Sequence, residues 1–281
     1  MARIALPIQK TVRYCALLFA LVLSGCAASG PPRRGETIHR NVVFAQRGGR
    51  DLRLDLYVPA TPRPAPVIVW YHGGSWKYGS KAFHLHLRDL TRAGFAIAAP
   101  DYRFLQQARW PAQLDDARDA VRWLRANGAR YGIDPQRMGL SGESAGGQLA
   151  ALVGTMECQP RIKAVCALYP PTDLVALGRR YARFKRASVL TQMFDLEIED
   201  CLDVARNASP LTHVCAQSPP FLLWHGKMDF LVPPEQSVAL DHALRAAGVE
   251  SRLNLLPRKT HAFSLTRLQR DEAAAFFHRH L

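Results

Sequence analysis

Three short segments of the chain hold side chains whose types and spacing suit nucleophilic attack on a carbonyl. The sharpest is Gly142-Glu143-Ser144-Ala145-Gly146-Gly147, which closes one apolar run and opens another. A tight strand-to-helix turn requires small residues on either side of a serine, because its backbone is strained and neighbouring chains pass close. Such a turn lifts the hydroxyl out of a sheet and sets it at a helix N-terminus, where backbone N–H groups face a developing negative charge. The plain alternative is a glycine-rich turn with no chemistry. The second segment, His72-Gly73-Gly74-Ser75-Trp76, follows the apolar run Val67–Tyr71. Bare backbone in a His-Gly-Gly loop can approach a substrate carbonyl. The amides of Gly74 and Ala145 are therefore the expected oxyanion donors, with Gly73 the near alternative. His72 is read as a hydrogen-bonding residue of this loop, not as a base.

A serine hydroxyl becomes an effective nucleophile when a base takes its proton and an acid holds that base. With a strand–turn–helix nucleophile the order along the chain is serine, acid, histidine. The histidines after Ser144 are His213, His225, His242, His261, His278 and His280. His261 stands in the third segment, Pro257-Arg258-Lys259-Thr260-His261-Ala262-Phe263, just past the strand-like run Arg252–Leu256. From there an imidazole on the last strand can reach the serine. His242 sits within a helical pattern, His278 and His280 lie at the C-terminus, and His213 has no motif around it. For the acid, Phe221-Leu222-Leu223-Trp224-His225-Gly226-Lys227-Met228-Asp229 places Asp229 just after a strand, with Asp173 after the preceding strand as competitor. His225 and Glu143 are read as structural neighbours. The expected triad is Ser144, Asp229 and His261.

These loops need a rigid frame, and the rest of the chain supplies its pattern. Asp51–Tyr57 alternates apolar and polar residues as a half-buried strand does, while Val67–Tyr71 and Phe95–Ala99 are continuous apolar runs suited to central strands. Further strands are predicted at Met138–Ser141, Ala164–Leu168, Phe221–Trp224 and Arg252–Leu256. Leu114, Ala117, Val121 and Leu124 fall on one helical face, with stop signals at Asn127-Gly128 and Gly132. Helices are also predicted over Ala145–Met156, Pro234–Ala247 and Leu268–His280. Early strands followed by repeated strand–helix units predict an α/β fold with a mostly parallel sheet and helices on both faces. Residues 175–208 fit this rhythm poorly and carry Arg179, Arg180, Arg183, Lys185 and Arg186. They read as either a small cap over the site or a solvated basic helix.

Composition bounds the partners. The chain has 281 residues, 48% hydrophobic and 21% charged, with a formal net charge of +14 carried by 30 Arg and 7 Lys. The basic residues are scattered rather than blocked, which argues against a nucleic-acid arm. No apolar run reaches the roughly 18–20 residues of a membrane span. Arg3, Lys10 and Arg13 precede the short apolar stretch Tyr14–Leu23, the layout of a signal peptide over residues 1–25. Leu23-Ser24-Gly25-Cys26 resembles the lipobox of bacterial lipoproteins, which implies acylation of Cys26 and anchoring to one leaflet in the cell envelope. Ala27 favours the outer membrane of a Gram-negative source. Residues 26–37 then form the lipidated cysteine and a flexible tether, and residues 38–281 the folded domain. Loss of the leader removes three basic residues and no acidic one, leaving net +11. Cys158, Cys166, Cys201 and Cys215 remain, with three full pairings open to them. Their spacings match no zinc motif, and neither metal nor cofactor is expected.

On His72–Trp76, Asp101-Tyr102-Arg103, Tyr131–Pro135 leading to Gly142–Gly147, His225–Asp229 with Val232-Pro233, and His261-Ala262-Phe263, the chain resembles α/β-hydrolases of the esterase/lipase group. Within that group it is most similar to bacterial esterases named for bifunctional feruloyl and acetyl-xylan esterase activity. The resemblance covers about residues 38–281. It independently implies the triad Ser144, Asp229 and His261, an ester substrate of small acyl size, and a carbohydrate on the alcohol side. Two departures bear on substrate. Many relatives have glycine where this chain has Lys259 and Ala262, and many have an acidic residue in place of Lys227. The same machinery would also suit amide cleavage of the arylformamidase type, or, with chemistry lost, a binding scaffold of the envelope.

Overall fold

A computed structural model describes residues 31–82, 86–156, 162–184 and 188–281. The predicted leader, Cys26, Cys158, Lys185 and Arg186 lie outside the described residues. Eight strands form one sheet: β1 (Glu36–Arg47), β2 (Arg50–Pro59), β3 (Ala65–Tyr71), β4 (Ala96–Pro100), β5 (Ile133–Glu143), β6 (Ala164–Leu168), β7 (Phe221–Gly226) and β8 (Ser251–Leu256). Their spatial order is β1-β2-β4-β3-β5-β6-β7-β8. The β1–β2 and β2–β4 pairs are antiparallel and all the others parallel. Parallel neighbours require crossovers, and these are the helices. They are α1 (Ala112–Asn127), α2 (Ala145–Met156), α3 (Leu174–Arg183), α4 (Val189–Phe194), α5 (Leu202–Asn207), α6 (Glu235–Ala246) and α7 (Arg267–His280).

Two apolar layers sandwich the sheet, and β3 shows how one run of residues serves both. Val67, Val69 and Tyr71 pack with Leu114, Val121, Leu149 and Leu240 on one face. The intervening Ile68 and Trp70 pack with Leu87, Phe95, Trp224 and Phe277 on the other. These five residues of β3, Val67 to Tyr71, are fully buried. The strand therefore reads as unbroken hydrophobicity although its side chains still alternate between faces.

One predicted boundary moves: the folded domain starts before residue 38, for β1 already begins at Glu36. Arg88 Nη2 donates to Glu36 Oε2 at 2.7 Å and to the Pro31 carbonyl at 2.8 Å, and Arg33 pairs with Asp89 at 2.7 Å. These charge-assisted bonds hold residues 31–36 against the domain. The insertion after β6 comprises α3 to α5 and has an apolar side of its own. Leu174, Leu177, Tyr181, Leu190, Met193 and Ala205 are buried in the main core, while Arg179, Arg180 and Arg183 are exposed. Tyr181 Oη donates to the Leu231 carbonyl at 2.8 Å and so braces the loop after β7. Cys166 and Cys201 are buried free thiols, and Cys215 is disulfide-bonded.

Candidate active site

The parallel strands all end on one edge of the sheet, and the three chemical segments lie there. Ser144 sits between β5 and α2 with φ +51°, in the left-handed region that non-glycine residues enter at a cost. The turn is held by Ser144 N–H donating to the Leu168 carbonyl at 2.9 Å. Its tightness explains Gly146, where an added Cβ would lie 2.1 Å from the Tyr71 carbonyl oxygen. No side chain fits at that distance.

His261 follows β8, and its Nε2 is 2.9 Å from Ser144 Oγ. Its Nδ1 is 2.6 Å from Asp229 Oδ2. A carboxylate only accepts, so Nδ1 carries the hydrogen and the Nε2 lone pair faces the serine hydroxyl. The neighbouring Ala262 has φ +59°, a backbone that glycine would adopt without strain.

Asp229 stands in the loop after β7 and is the meeting point of four donors. Besides His261, its Oδ1 accepts from the amides of Leu231 (3.0 Å) and Val232 (2.9 Å). His225 Nε2 lies 3.3 Å from its Oδ2 and 2.9 Å from the Val232 carbonyl. Both of those groups accept, so Nε2 of His225 is the protonated nitrogen; in the neutral ring Nδ1 then takes the hydroxyl of Ser237 at 2.7 Å. Burial is the largest influence on the Asp229 carboxyl and pushes its pKa up. The hydrogen bonds from His225 and His261, with the charge of His261 and the Val232 amide, together outweigh it and hold the pKa down at about 2. A folded pKa below the ordinary value of 3.8 contributes stability above pH ~4 and loses it as pH falls through 2. The size is ~2 kcal/mol. Unfolding free energies from urea melts should therefore fall less between pH 5 and pH 2 in Asp229→Asn than in the parent, by about that amount.

The His-Gly-Gly loop is backbone-strained in the way a donor cradle demands. Gly74 has φ +121°, and a Cβ there would lie 2.0 Å from the Tyr78 carbonyl oxygen. Its own carbonyl accepts from the amides of Lys77 and Tyr78. Trp76 Nε1 donates to Gln148 Oε1 at 3.1 Å and pins the loop to α2. Among the described residues, no intramolecular acceptor takes the amides of Gly73, Gly74 or Ala145. His72 is fully buried and stacks on Tyr102 with ring centroids 4.4 Å apart; its Nδ1 donates to the Gly73 carbonyl at 2.7 Å. Its contacts with Gly73, Tyr102 and Phe104 shape the loop.

The competing residues have other employment. Asp173 caps α3, accepting from the Ala176 amide at 2.9 Å. His213 bonds the Asn207 carbonyl, His278 packs on Phe95, His280 lies 3.5 Å from Glu250, and His242 is exposed on α6. Glu143 is buried, as the structural reading expects, 3.0 Å from His86 Nε2 and accepting from Tyr169 Oη at 2.7 Å. Tyr169, like His86, Ser237 and Gln148, has no place among the residues singled out from sequence, although it packs against the base. Its ring packs edge-on to His261 (4.8 Å) and Phe263 (4.9 Å). The available signal was its place at the end of an apolar strand, immediately before Pro170-Pro171.

Strand order, the serine turn and the loops at the carboxyl edge define an α/β-hydrolase fold. A truncated carbohydrate esterase from gut microbiota superposes with a TM-score of 0.79 over 89% of this chain and 99% of that one, at 24% identity, and speaks for the fold alone. Residues 54–244 match the BD-FAE family model, and the chain belongs to that family. Esterase LipC of Mycobacterium tuberculosis is 32% identical over 257 residues, covering 84% of this chain but only 64% of LipC. The chain thus spans less than two thirds of that relative. Ethyl acetate hydrolase of Pseudomonas putida is 32% identical over 240 residues, 79% of this chain and 74% of that enzyme.

Proposed function

We propose that this chain is a serine carboxylesterase acting through an acyl-enzyme on Ser144. The observation that carries the reading is the unbroken relay from Ser144 Oγ to His261 Nε2 (2.9 Å) and from His261 Nδ1 to Asp229 Oδ2 (2.6 Å), beside unclaimed amides at Gly74 and Ala145. His261 takes the serine proton as Oγ attacks the ester carbonyl. The amides of Gly74 and Ala145, with Gly73 adjoining, donate to the oxyanion, and the Asp229 carboxylate stabilises the imidazolium. His261 then protonates the departing alcohol, and water resolves the acyl-enzyme with His261 again as base. The names of the relatives support ester hydrolysis, and that of the ethyl acetate hydrolase supports a small acyl group. A carbohydrate alcohol rests on the resemblance of the motifs to acetyl-xylan and feruloyl esterases. Acylation of Cys26 and placement in the cell envelope rest on the leader sequence, and the disulfide at Cys215 supports an oxidising compartment.

The test is turnover of p-nitrophenyl acetate, butyrate and octanoate beside a formyl-anilide. Higher kcat/KM for acetate and butyrate than for octanoate, with the formyl-anilide far behind, is the expected order. A faster formyl-anilide would replace the esterase by an amide hydrolase on the same triad. No turnover of any would leave a binding scaffold.

A further inference from the structure

Three cations stand on the loops that carry the acid and the base of the site, and nothing in the mechanism uses them. Lys227 lies two residues before Asp229, and Arg258 and Lys259 lie three and two residues before His261. The two loops are fastened side by side. Lys227 N–H donates to the Leu256 carbonyl and Met228 N–H to the Lys259 carbonyl, each at 2.9 Å. Gly226 leaves the space this requires, since a Cβ there would lie 2.2 Å from the Lys259 oxygen. All three cations are exposed, and among the described residues none has a carboxylate within ion-pair distance. Many exposed arginines elsewhere are paired, as in Arg179–Glu199, Arg206–Asp203, Arg245–Asp241 and Arg279–Glu250. Of the acids on the same loops, Asp229 is buried with both oxygens engaged, and Glu235 is exposed at the start of α6. The lip therefore carries a local excess of positive charge.

The chemistry of the site says which part of a substrate meets that lip. His261 Nε2 must come within hydrogen-bond reach of the departing oxygen to protonate it, so the alcohol portion leaves past the loop 257–262. Consecutive Cα atoms are 3.8 Å apart, which puts the Lys259 and Arg258 backbones within about 8 and 11 Å of His261. That is within or near one screening length at physiological salt, and within the reach of their side chains. We infer that the site prefers esters whose alcohol portion carries a carboxylate or phosphate, with Lys227, Arg258 and Lys259 supplying the attraction. This rests on the esterase reading and narrows it. Three point charges at such distances in a partly solvated mouth give a preference of about tenfold in kcat/KM at low salt.

The experiment compares 4-acetoxybenzoate with neutral 4-acetoxybenzamide, each rate divided by its own rate of alkaline hydrolysis to remove leaving-group reactivity. The expected result is a normalised ratio near ten for the anionic ester at 20 mM NaCl, falling several-fold at 500 mM. In the triple variant Lys227→Gln, Arg258→Gln, Lys259→Gln the ratio falls to about one at both salts, and the single Lys227→Gln loses part of it. A parent ratio near one, a ratio insensitive to salt, or equal losses on both esters in the triple variant would overturn the inference and leave the esterase standing. If the parent cleaves neither ester, or Ser144→Ala cleaves both as well as the parent, the esterase reading falls first and this inference with it.

Discussion

Ser144→Ala is expected to lower kcat for p-nitrophenyl acetate by roughly 10⁴- to 10⁶-fold, with little change in stability. The two halves of that expectation have separate physical grounds. The loss is large because the hydroxyl is the only group of the relay that forms a bond to the acyl carbon. Without it His261 can at best activate a water, held no better than diffusion and the Gly74 and Ala145 amides hold it. The stability is spared because alanine keeps the Cβ at the same φ of +51° and inherits the strain that serine already bears. The turn is held by the residue 144 amide on the Leu168 carbonyl and by the Gln148 amide on the residue 144 carbonyl, both at 2.9 Å. Neither uses the side chain. The removed hydroxyl bonds His261, whose side chain is 16% exposed and can find water. Burst titration and steady-state rates on the purified variant, beside a urea melt, decide the matter. A variant retaining more than a few per cent of kcat would show that acyl transfer does not pass through Ser144.

The three members of the relay are far apart in sequence, 85 residues from Ser144 to Asp229 and 32 more to His261, yet all were legible there. Each lies on the turn or loop that follows an apolar strand, one residue past β5, three past β7 and five past β8, and a parallel sheet delivers all of those loops to the same edge. The strands themselves read as unbroken apolar runs because both faces are covered, and the mean pattern loses only which face each residue serves. The N-terminal strand was not legible. It is an edge strand with register shifts between His39 and Val42 and between Val43 and Ala45, and Asn41 has φ +55°. Bulges break the period of two on which strand reading depends. The Glu36–Arg88 pair, 52 residues apart, is likewise a tertiary contact with no local trace. The insertion resisted reading for a different reason. Its short helices contribute a few apolar residues each, and charge dominates a short amphipathic segment until its burial partners are known.

What sequence could least disclose is how the site's polar groups share partners. His225 stands beside the acid in a pattern read as structural, and it does structural work on Asp229, Val232 and Ser237 at once. Glu143 is a buried carboxylate beside the nucleophile that belongs to His86 and Tyr169, and Tyr169 in turn supports the ring of His261. Two acid–imidazole pairs with buried carboxylates thus adjoin the relay, Asp229 with His225 and Glu143 with His86. Geometry separates their roles: Asp229 touches the His261 ring nitrogen, whereas Glu143 accepts from Tyr169, whose ring packs edge-on to His261. A site supported in this way holds the imidazole against rotation with contacts from the loop after β7 and from the end of β6.

That sharing makes the isosteric change at Asp229 more damaging than its size suggests. Asp229→Asn is expected to reduce kcat by roughly 10⁴-fold and to cost about 1–3 kcal/mol of stability. Four donors converge on the carboxylate: His261 Nδ1, His225 Nε2 and the amides of Leu231 and Val232. An asparagine has one accepting oxygen and one donating nitrogen, so whichever way it turns, an NH2 group faces donors. With the oxygen toward Leu231 and Val232, the nitrogen confronts His261 and His225. His261 can then relieve the conflict only by moving its proton to Nε2, which removes the lone pair that must receive the Ser144 proton. With the oxygen toward the imidazoles, the nitrogen meets two backbone amides that have no freedom to turn away, and the loop must open. The first orientation disables the relay in a nearly intact loop and the second destabilises the loop, so kcat and the urea midpoint should fall together. KM for p-nitrophenyl acetate should change little, because Asp229 is buried and does not touch substrate. Asp229→Ala removes the carboxylate without adding donors, so its loss of kcat should be comparable while its tautomer conflict is absent. An Asn variant with kcat within tenfold of the parent would show that the imidazole is oriented by something other than the Asp229 carboxylate; Asp173, the other acid after a neighbouring strand, is already engaged in capping α3.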